Sequence, residues 1–342
     1  MTLLHHLGAA ASQAWPPFVL VAGLLLVGLV AADDGLFEAA GARLARLPGG
    51  ELVLYFSLLA LVAGVTAVLN LDTSVWFLTP VLVVAARSRG VDERRFLYAA
   101  VMMSNSASLI LPGANLTNLI VLAHEHVSGA TFASRIWPAW AAAVLVTAVV
   151  VHLAFHGAEH EPTGKLAVAA PRLGLGLAGI VVAAVLVLAL SRPALPVFGV
   201  GIALVLIRRT SWREIRETTG PFVLLGLFAV AVALGTLARS WGWPEHVATH
   251  AGNLAVAFLA AGLAVLVNNL PAAVLLSSHP PAHPSELLVG LNLGPNLFVT
   301  GSLSAFLWLR AARTVDARPS IRTFVSILAA VGALALSGAP QL

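Results

Sequence analysis

Four polar breaks interrupt segments that are otherwise apolar for about the length of a bilayer crossing, and they restrict the fold more tightly than any other feature of the chain. They fall at Asn70-Leu71-Asp72, at Ser104-Asn105-Ser106 with Pro112-Gly113-Ala114-Asn115, at Asn268-Asn269-Leu270-Pro271, and at Asn292-Leu293-Gly294-Pro295-Asn296 with Thr300-Gly301-Ser302. In hydrocarbon, backbone without helical hydrogen bonds is tolerated only where protein or an internal cavity satisfies it. Such breaks therefore point to a polar site inside a membrane protein.

Apolar runs such as Phe18 to Ala32, Gly174 to Leu190 and Phe222 to Leu237 recur from end to end of the 342 residues. Each suits a membrane segment, which needs roughly 17–25 residues with its flanks. Charged residues make up 10% of the chain and hydrophobic ones 59%, against roughly 25% charged in soluble domains. The chain reads as an all-α integral membrane protein with about ten membrane segments, not a soluble enzyme with an anchor. No charged leader with a cleavage site precedes the first span, so no removable signal peptide is expected. Cysteine is absent, which excludes disulfides, thiolate metal sites and cysteine catalysis. The pI near 10.6 does not indicate nucleic acid, because the basic residues sit in short loops beside apolar runs.

Hydropathy and breakers give two related halves, residues 1–155 and 172–342, joined by a polar linker at 156–171. The first has a span at about 17–32, an interfacial amphipathic helix within 33–50 and a re-entrant hairpin over 51–86 with arms 51–69 and 73–86. A broken helix at 94–123 and a span at 132–154 follow. The second has spans at 172–190, 197–207 and 220–238, and a hairpin over 249–280 with arms 249–267 and 272–280. A broken helix at 286–309 and a final span at 323–338 complete it.

The distribution of Lys and Arg gives an independent reading, because cytoplasmic loops collect them. If both arms of each hairpin return to their own side, loops 33–50, 87–95, 155–172, 208–219 and 310–322 share one face and hold 16 of the 19 basic residues. Only Arg135, Arg192 and Arg239 fall opposite. Counting either hairpin as a full crossing would mix the charges. The first hairpin then opens to the cytoplasm and the second to the outside, an inverted-topology repeat of the kind that places a transport site at the midplane.

The breaks supply Asn70, Asp72, Thr73, Asn105, Ser108, Asn115, Thr117 and Asn118 from the first half, and Asn268, Asn269, Asn292, Asn296, Thr300 and Ser302 from the second. Their amides, hydroxyls and freed carbonyls suit a small cation, a hydrated anion or a neutral hydroxylated solute. Half-helix N-termini after Pro112-Gly113 and Thr300-Gly301 add positive dipole ends. A single Asn or Ser in a span often only bonds a neighbouring helix, for about 0.6 kcal/mol; clustering at matched breaks in both halves favours a site. An ionisable side chain at membrane depth is costly and functional by default, so Asp72 is the expected proton- or cation-coupling carboxylate, with a helix cap as its other reading. His124, His126, His246, His250, His279 and His283 map to the outer side and read as solvated loop residues. The Gly174/Gly176 and Gly199/Gly201 pairs read as helix packing contacts. No cofactor or metal site is expected, and no phosphate-binding loop, metalloprotease helix or serine elbow is present.

Several of these stretches resemble the arsenical pump membrane protein family, arsenite and antimonite permeases of the ion transporter superfamily. They are Phe37-Glu38 through Asn70-Leu71-Asp72; the run from Ser106 to Val121, Ser-Ala-Ser-Leu-Ile-Leu-Pro-Gly-Ala-Asn-Leu-Thr-Asn-Leu-Ile-Val; Asn268-Asn269-Leu270-Pro271; and Leu293-Gly294-Pro295-Asn296 with Thr300-Gly301-Ser302-Leu303 and Leu307-Trp308-Leu309. The resemblance implies arsenite and antimonite extrusion from a bacterial inner membrane, driven by the proton gradient or by a cytoplasmic ATPase subunit. It would place the site at Asn70, Asp72, Asn115, Asn118, Asn269, Asn296, Thr300 and Ser302. Against the family pattern the chain is shorter, as if one or two N-terminal spans were missing, and its tip reads Asn-Leu-Asp where the family has Asn-Asp-Gly. Without a thiol, trivalent arsenic would be handled as neutral As(OH)3 through oxygen contacts.

The leading expectation is a multi-pass secondary transporter exchanging protons or sodium for a small inorganic or organic solute. Its alternatives are a sodium- or proton-coupled carboxylate transporter, a sodium/proton antiporter and a non-transporting scaffold homologue, and a homodimer is an open option. An intramembrane hydrolase would need a nucleophile with a base or a metal pair at depth, and neither is present. With no native cysteine in the way, the topology can be read by labelling. Arg318→Cys should react with an impermeant maleimide only after the membrane is breached, and His283→Cys should react in intact cells; labelling both from the same side would overturn the arrangement.

Overall fold

The computed structural model describes residues 3–125, 127–155, 174–241 and 251–324. His126, His246, His250, the 156–171 linker and all but the start of the expected final span lie outside them. Among the described residues every regular element is helical.

Helix α1 (Leu3–Asp33) is the central post, buried along most of its length from Phe18 to Ala31. It begins well before the expected residue 17, with Pro16 and Pro17 inside it. Proline there removes the backbone bonds to the carbonyls of Ser12 and Gln13, but the turns on either side carry the helix through. Helix α2 (Leu36–Ala45) follows, and then α3 (Glu51–Leu69) and α4 (Leu71–Ser88) form the first hairpin. The first broken segment is α5 (Glu93–Ala107), two 3-10 turns at Ser108–Ile110 and Pro112–Ala114, and the half-helix α6 (Leu116–Val121). Helix α7 (Gly129–Ala154) returns.

In the second part, α8 (Leu175–Ala189), α9 (Ala194–Arg208) and α11 (Pro221–Trp241) pack on α1. Between α9 and α11 the expected loop folds as the short helix α10 (Trp212–Thr219). Its signature is legible at Ser211-Trp212-Arg213-Glu214: Ser211 and Glu214 close a capping box, and Arg213 pairs with Glu217 at 2.8 Å. Helices α12 (Asn253–Val267) and α13 (Asn269–Leu276) form the second hairpin. The second broken segment is α14 (Pro284–Leu293), 3-10 turns at Gly294–Asn296 and Val299–Gly301, and α15 (Leu303–Arg313).

The two parts match in local conformation. The hairpin tips are Asn70 at φ 105° and ψ 168° and Asn268 at φ 80° and ψ 151°, a left-handed extended region that is nearly reserved for glycine. Each tip asparagine offsets this by capping its own return arm, Asn70 Oδ1 accepting Thr73 N–H at 2.8 Å and Asn268 Oδ1 accepting Leu270 N–H at 3.2 Å. In both broken segments an extended residue, Leu111 or Phe298, leads into a 3-10 turn, and a second extended residue, Asn115 or Ser302, starts the half-helix. The return arm of each hairpin packs on the half-helix of the other part, α4 on α15 and α13 on α6.

The basic loops gather at one end. Arg208 pairs with buried Asp34, which also accepts Gly176 N–H at 2.8 Å; Arg87 donates to Val315 O at 2.7 Å; Arg95 bonds Phe155 O and Glu51. Both ends of the first hairpin lie here, since Glu51 opens it and Arg87 closes it. At the other end Gln13, Ile120, Ser277 and Arg239 meet.

Small residues let α1 touch its neighbours. A Cβ on Gly23 would stand 2.7 Å from Phe198 Cα, one on Gly201 2.7 Å from Gly23 O, and one on Gly176 2.7 Å from Ala31 Cα, whereas a Cβ on Gly199 meets nothing within 4 Å. Of the expected glycine contacts, Gly176 and Gly201 are therefore helix interfaces and Gly199 is not. Gly201→Val should destabilise the detergent-solubilised protein by about 1–3 kcal/mol, the usual cost of overpacking, seen as a lower thermal midpoint; Gly199→Val should leave the midpoint unchanged.

Candidate functional site

The two broken segments face one another, and an amide network closes the gap. Asn292, on the last turn of α14, is its hub: Oδ1 accepts from Ser108 Oγ at 2.7 Å and Asn115 Nδ2 at 2.9 Å, while Nδ2 donates to Asn118 Oδ1 at 2.7 Å and Leu288 O at 2.8 Å. Asn118 Nδ2 in turn donates to the freed carbonyls of Ser108 at 2.8 Å and Leu111 at 3.1 Å. A second layer joins Asn105 Nδ2 to Asn296 Oδ1 at 2.8 Å, with Asn296 Nδ2 reaching Ser106 Oγ at 3.2 Å and Met102 O at 3.3 Å. Ser304 Oγ donates to Asn105 Oδ1 at 3.2 Å and bonds Ser302 Oγ at 2.5 Å. Every one of these asparagines is at least 96% buried. Among the described residues no charged side chain enters the network.

The breaks exist because their sequences cannot stay helical. Pro112 and Pro295 remove backbone donors, and Gly113, Gly294 and Gly301 weaken the helix around them. Gly294 and Gly301 also permit close approach: a Cβ would stand 2.7 Å from Ala261 Cα at the first and 2.6 Å from Pro295 Cα at the second. The carbonyls so released become acceptors for Asn118.

Seven expected residues thus come together: Asn105, Ser108, Asn115, Asn118, Asn292 and Asn296 directly, and Ser302 through Ser304. The others stand apart. Asn268 and Thr300 fasten the second hairpin to the second break at a more exposed position, Asn268 Nδ2 donating to Thr300 O and Thr300 Oγ1 to Val265 O, each at 3.0 Å. Thr117 and Asn269 are buried beside the network, and Thr117 Oγ1 has no hydrogen-bond partner.

The first tip is a separate polar cluster. Asn70 Nδ2, Thr73 Oγ1 and Thr66 Oγ1 are buried there without partners, a concentration that calls for a ligand or ion, since buried polar groups are normally satisfied. Asp72 follows the tip on the partly exposed face of α4, and among the described residues no hydrogen bond or ion pair to its carboxylate occurs. The cluster touches the network where Ser104 Oγ donates to Ser74 Oγ at 3.3 Å.

Sequence reasoning missed four contributors. Ser106 sits within the quoted break, and its hydroxyl also bonds Thr147 Oγ1 at 2.7 Å; Ser304 lies two residues past Ser302 on the same half-helix face. Thr147 is a lone polar residue in an apolar span, and Thr66 lies one turn before the tip, so neither carries a local signal.

Two hairpins and two helices broken at facing polar sites, in an all-α membrane chain, are the parts of a solute transporter. The citrate transporter family (CitMHS) model matches residues 1–294, and the chain belongs to that family. The "Arsenical pump membrane protein" of Escherichia coli is 25% identical over 86% of this chain and 78% of its own length. "Inner membrane protein YbiR" of E. coli strain K12 is 24% identical over 87% of this chain and 80% of its own. The crystal structure of the Alcanivorax borkumensis YdaH transporter, described as having an unusual topology, superposes with a TM-score of 0.59 at 15% identity, over 99% of this chain and 85% of that one. That likeness concerns the fold alone.

The hub makes a sharp test. Asn292→Leu deletes the acceptor of Ser108 and Asn115 and the donor to Asn118, stranding buried polar groups at about 1–3 kcal/mol each before relaxation. The variant should lose at least about 2 kcal/mol of stability, whereas Thr300→Ala, which removes only the exposed bond to Val265 O, should lose under about 1 kcal/mol; equal thermal midpoints would deny the hub its role.

Proposed function

We propose that the chain is a secondary transporter of the bacterial inner membrane that exports arsenite or antimonite by alternating access, coupled to protons. The observation that carries this reading is the uncharged meeting of the two breaks. A neutral trihydroxy metalloid can exchange hydrogen bonds with Asn292, Asn115, Asn118 and Asn296 one for one. A multiply charged carboxylate would want Arg or Lys forks, and none enters the network. The arsenical pump relatives favour the same substrate.

In this reading residues 1–155 and 172–342 are inverted repeats, and each hairpin is re-entrant. Support comes from the matched tips at Asn70 and Asn268 and from the first hairpin having both ends at the basic end. The second hairpin's return arm ends at Ser277, at the opposite one. Asp72 couples the cycle. Asp72 follows the tip in sequence, where Thr66, Asn70 and Thr73 keep buried polar atoms without partners, and this proximity along the chain supports the assignment.

A second reading, sodium- or proton-coupled carboxylate transport, draws on the family's description and on the first tip, where Asn70 Nδ2 offers a donor and the Thr66 and Thr73 hydroxyls offer oxygen ligands. An efflux panel separates the two. Expression in an arsenite-sensitive host should raise tolerance to arsenite and antimonite and leave growth in citrate or high sodium unchanged. In proteoliposomes Asp72→Asn should abolish gradient-driven arsenite flux at equal protein incorporation. Flux of citrate instead of arsenite would establish the second reading, and undiminished flux in Asp72→Asn would remove Asp72 from coupling.

A further inference from the structure

Three basic residues stand away from the basic end, Arg135, Arg192 and Arg239, and the structure gathers all three around one cavity. Arg192 and Arg239 line it, and Arg135 lies 3.9 Å from Glu125, which lines it as well. The cavity has a volume of about 880 Å³ and runs from His5 and His6 at the start of α1 to Pro112 at the first break. That volume falls in the range of small-molecule sites, roughly 300–1,000 Å³. None of the asparagines of the amide network lines it, so it is a different site.

Its charge is one-sided. Glu125 is the sole acidic residue among the described lining residues, and it already faces Arg135. Arg239, half-buried in the last turn of α11, donates Nη1–H to Gly235 O at 2.9 Å and Nη2–H to Gln13 Oε1 at 2.6 Å. Both acceptors are neutral, and no carboxylate among the described residues pairs with it. Gln13 is itself held, its Nε2 donating to Ser277 O at 2.7 Å and Ile120 O at 3.1 Å, so the guanidinium plane is fixed. Burial pushes the His124 imidazole below its usual range, while the guanidinium of Arg239 keeps its charge at any physiological pH. A partly buried guanidinium with no carboxylate partner among the described residues, in a cavity that focuses its field, is a receptor for a planar or tetrahedral oxyanion.

We propose that this cavity binds a carboxylate or phosphate oxyanion on Arg239, with Gln13 as a positioning residue. The site stands whichever solute crosses at the amide network. The occupant is a free anion or the headgroup of an anionic lipid, which share this chemistry.

Equilibrium binding of radiolabelled inorganic phosphate to the full-length, detergent-purified protein tests it. Wild type should bind saturably, and Arg239→Gln should bind at least ten-fold more weakly, with Arg239→Lys between them. Gln13→Glu keeps the shape but sets a carboxylate against Arg239, and it should also weaken binding at least ten-fold, so the test survives if Arg239→Gln fails to fold. Arg318→Gln, at the basic end, should match wild type. Competition by phosphatidylglycerol but not phosphatidylcholine identifies a lipid headgroup as the occupant, and its absence identifies a free anion. Wild-type binding that is not saturable, or Arg239→Gln and Gln13→Glu proteins that bind like wild type, would overturn the proposal. Binding is read without flux, so a failure of arsenite transport leaves this result untouched.

Discussion

The four-way bonding of the Asn292 amide is the interaction on which the rest of the molecule depends. Where Pro112 and Pro295 free the backbone, the released groups have no water to turn to, and each would be expensive if left alone in an apolar interior. The first break meets its own freed carbonyls of Ser108 and Leu111 with Asn118, and the amides then join across the gap, Asn118 to Asn292 and Asn105 to Asn296. The network therefore holds the two parts of the chain together. The same mutual saturation means that any solute entering has to exchange its own hydrogen bonds for those the amides already make.

Around this closure the scaffold is tight where it must be. Helix α1 approaches α8 and α9 through Gly23, Gly176 and Gly201, contacts that leave no room for a side chain. Ion pairs and arginine-to-carbonyl bonds then stitch the loops at the basic end, with Asp34 holding both Arg208 and the start of α8. The hairpins are fastened more lightly. The second is tied to its break by Asn268 and Thr300, and the first tip retains buried polar atoms with no partner at Thr66, Asn70 and Thr73. Rigid post, closed network and unsaturated tip are different environments, and of the network and the tip only the tip has a neighbouring carboxylate, Asp72.

Much of this was legible in the sequence, for a plain reason. Breaks in an apolar run are rare and physically costly, so Asn70, Asn268 and the Pro-Gly-Ala-Asn and Gly-Pro-Asn turns announced themselves as interruptions of helix. Less visible was how the residues divide. Asp72 and Asn292 look equally conspicuous in a list of polar breaks, yet one ends at a separate tip and the other at the centre of a network, because partner choice depends on how α14 meets α6. Boundaries failed where a local signal was ambiguous. The first span was expected from residue 17 but α1 runs back through Pro16 and Pro17 to Leu3, and the Ser211–Glu214 capping box lies in what was expected to be a loop. Thr147 and Ser304 gain their roles wholly from tertiary contact.

Gln13 has a wider bearing than its part in holding a guanidinium. One amide pins the Ile120 carbonyl of the first broken segment, the Ser277 carbonyl beyond the second hairpin and Arg239 of α11 onto the central helix. Those elements belong to both parts of the chain, so a single side chain turning aside would release three of their hydrogen bonds to α1 in one event.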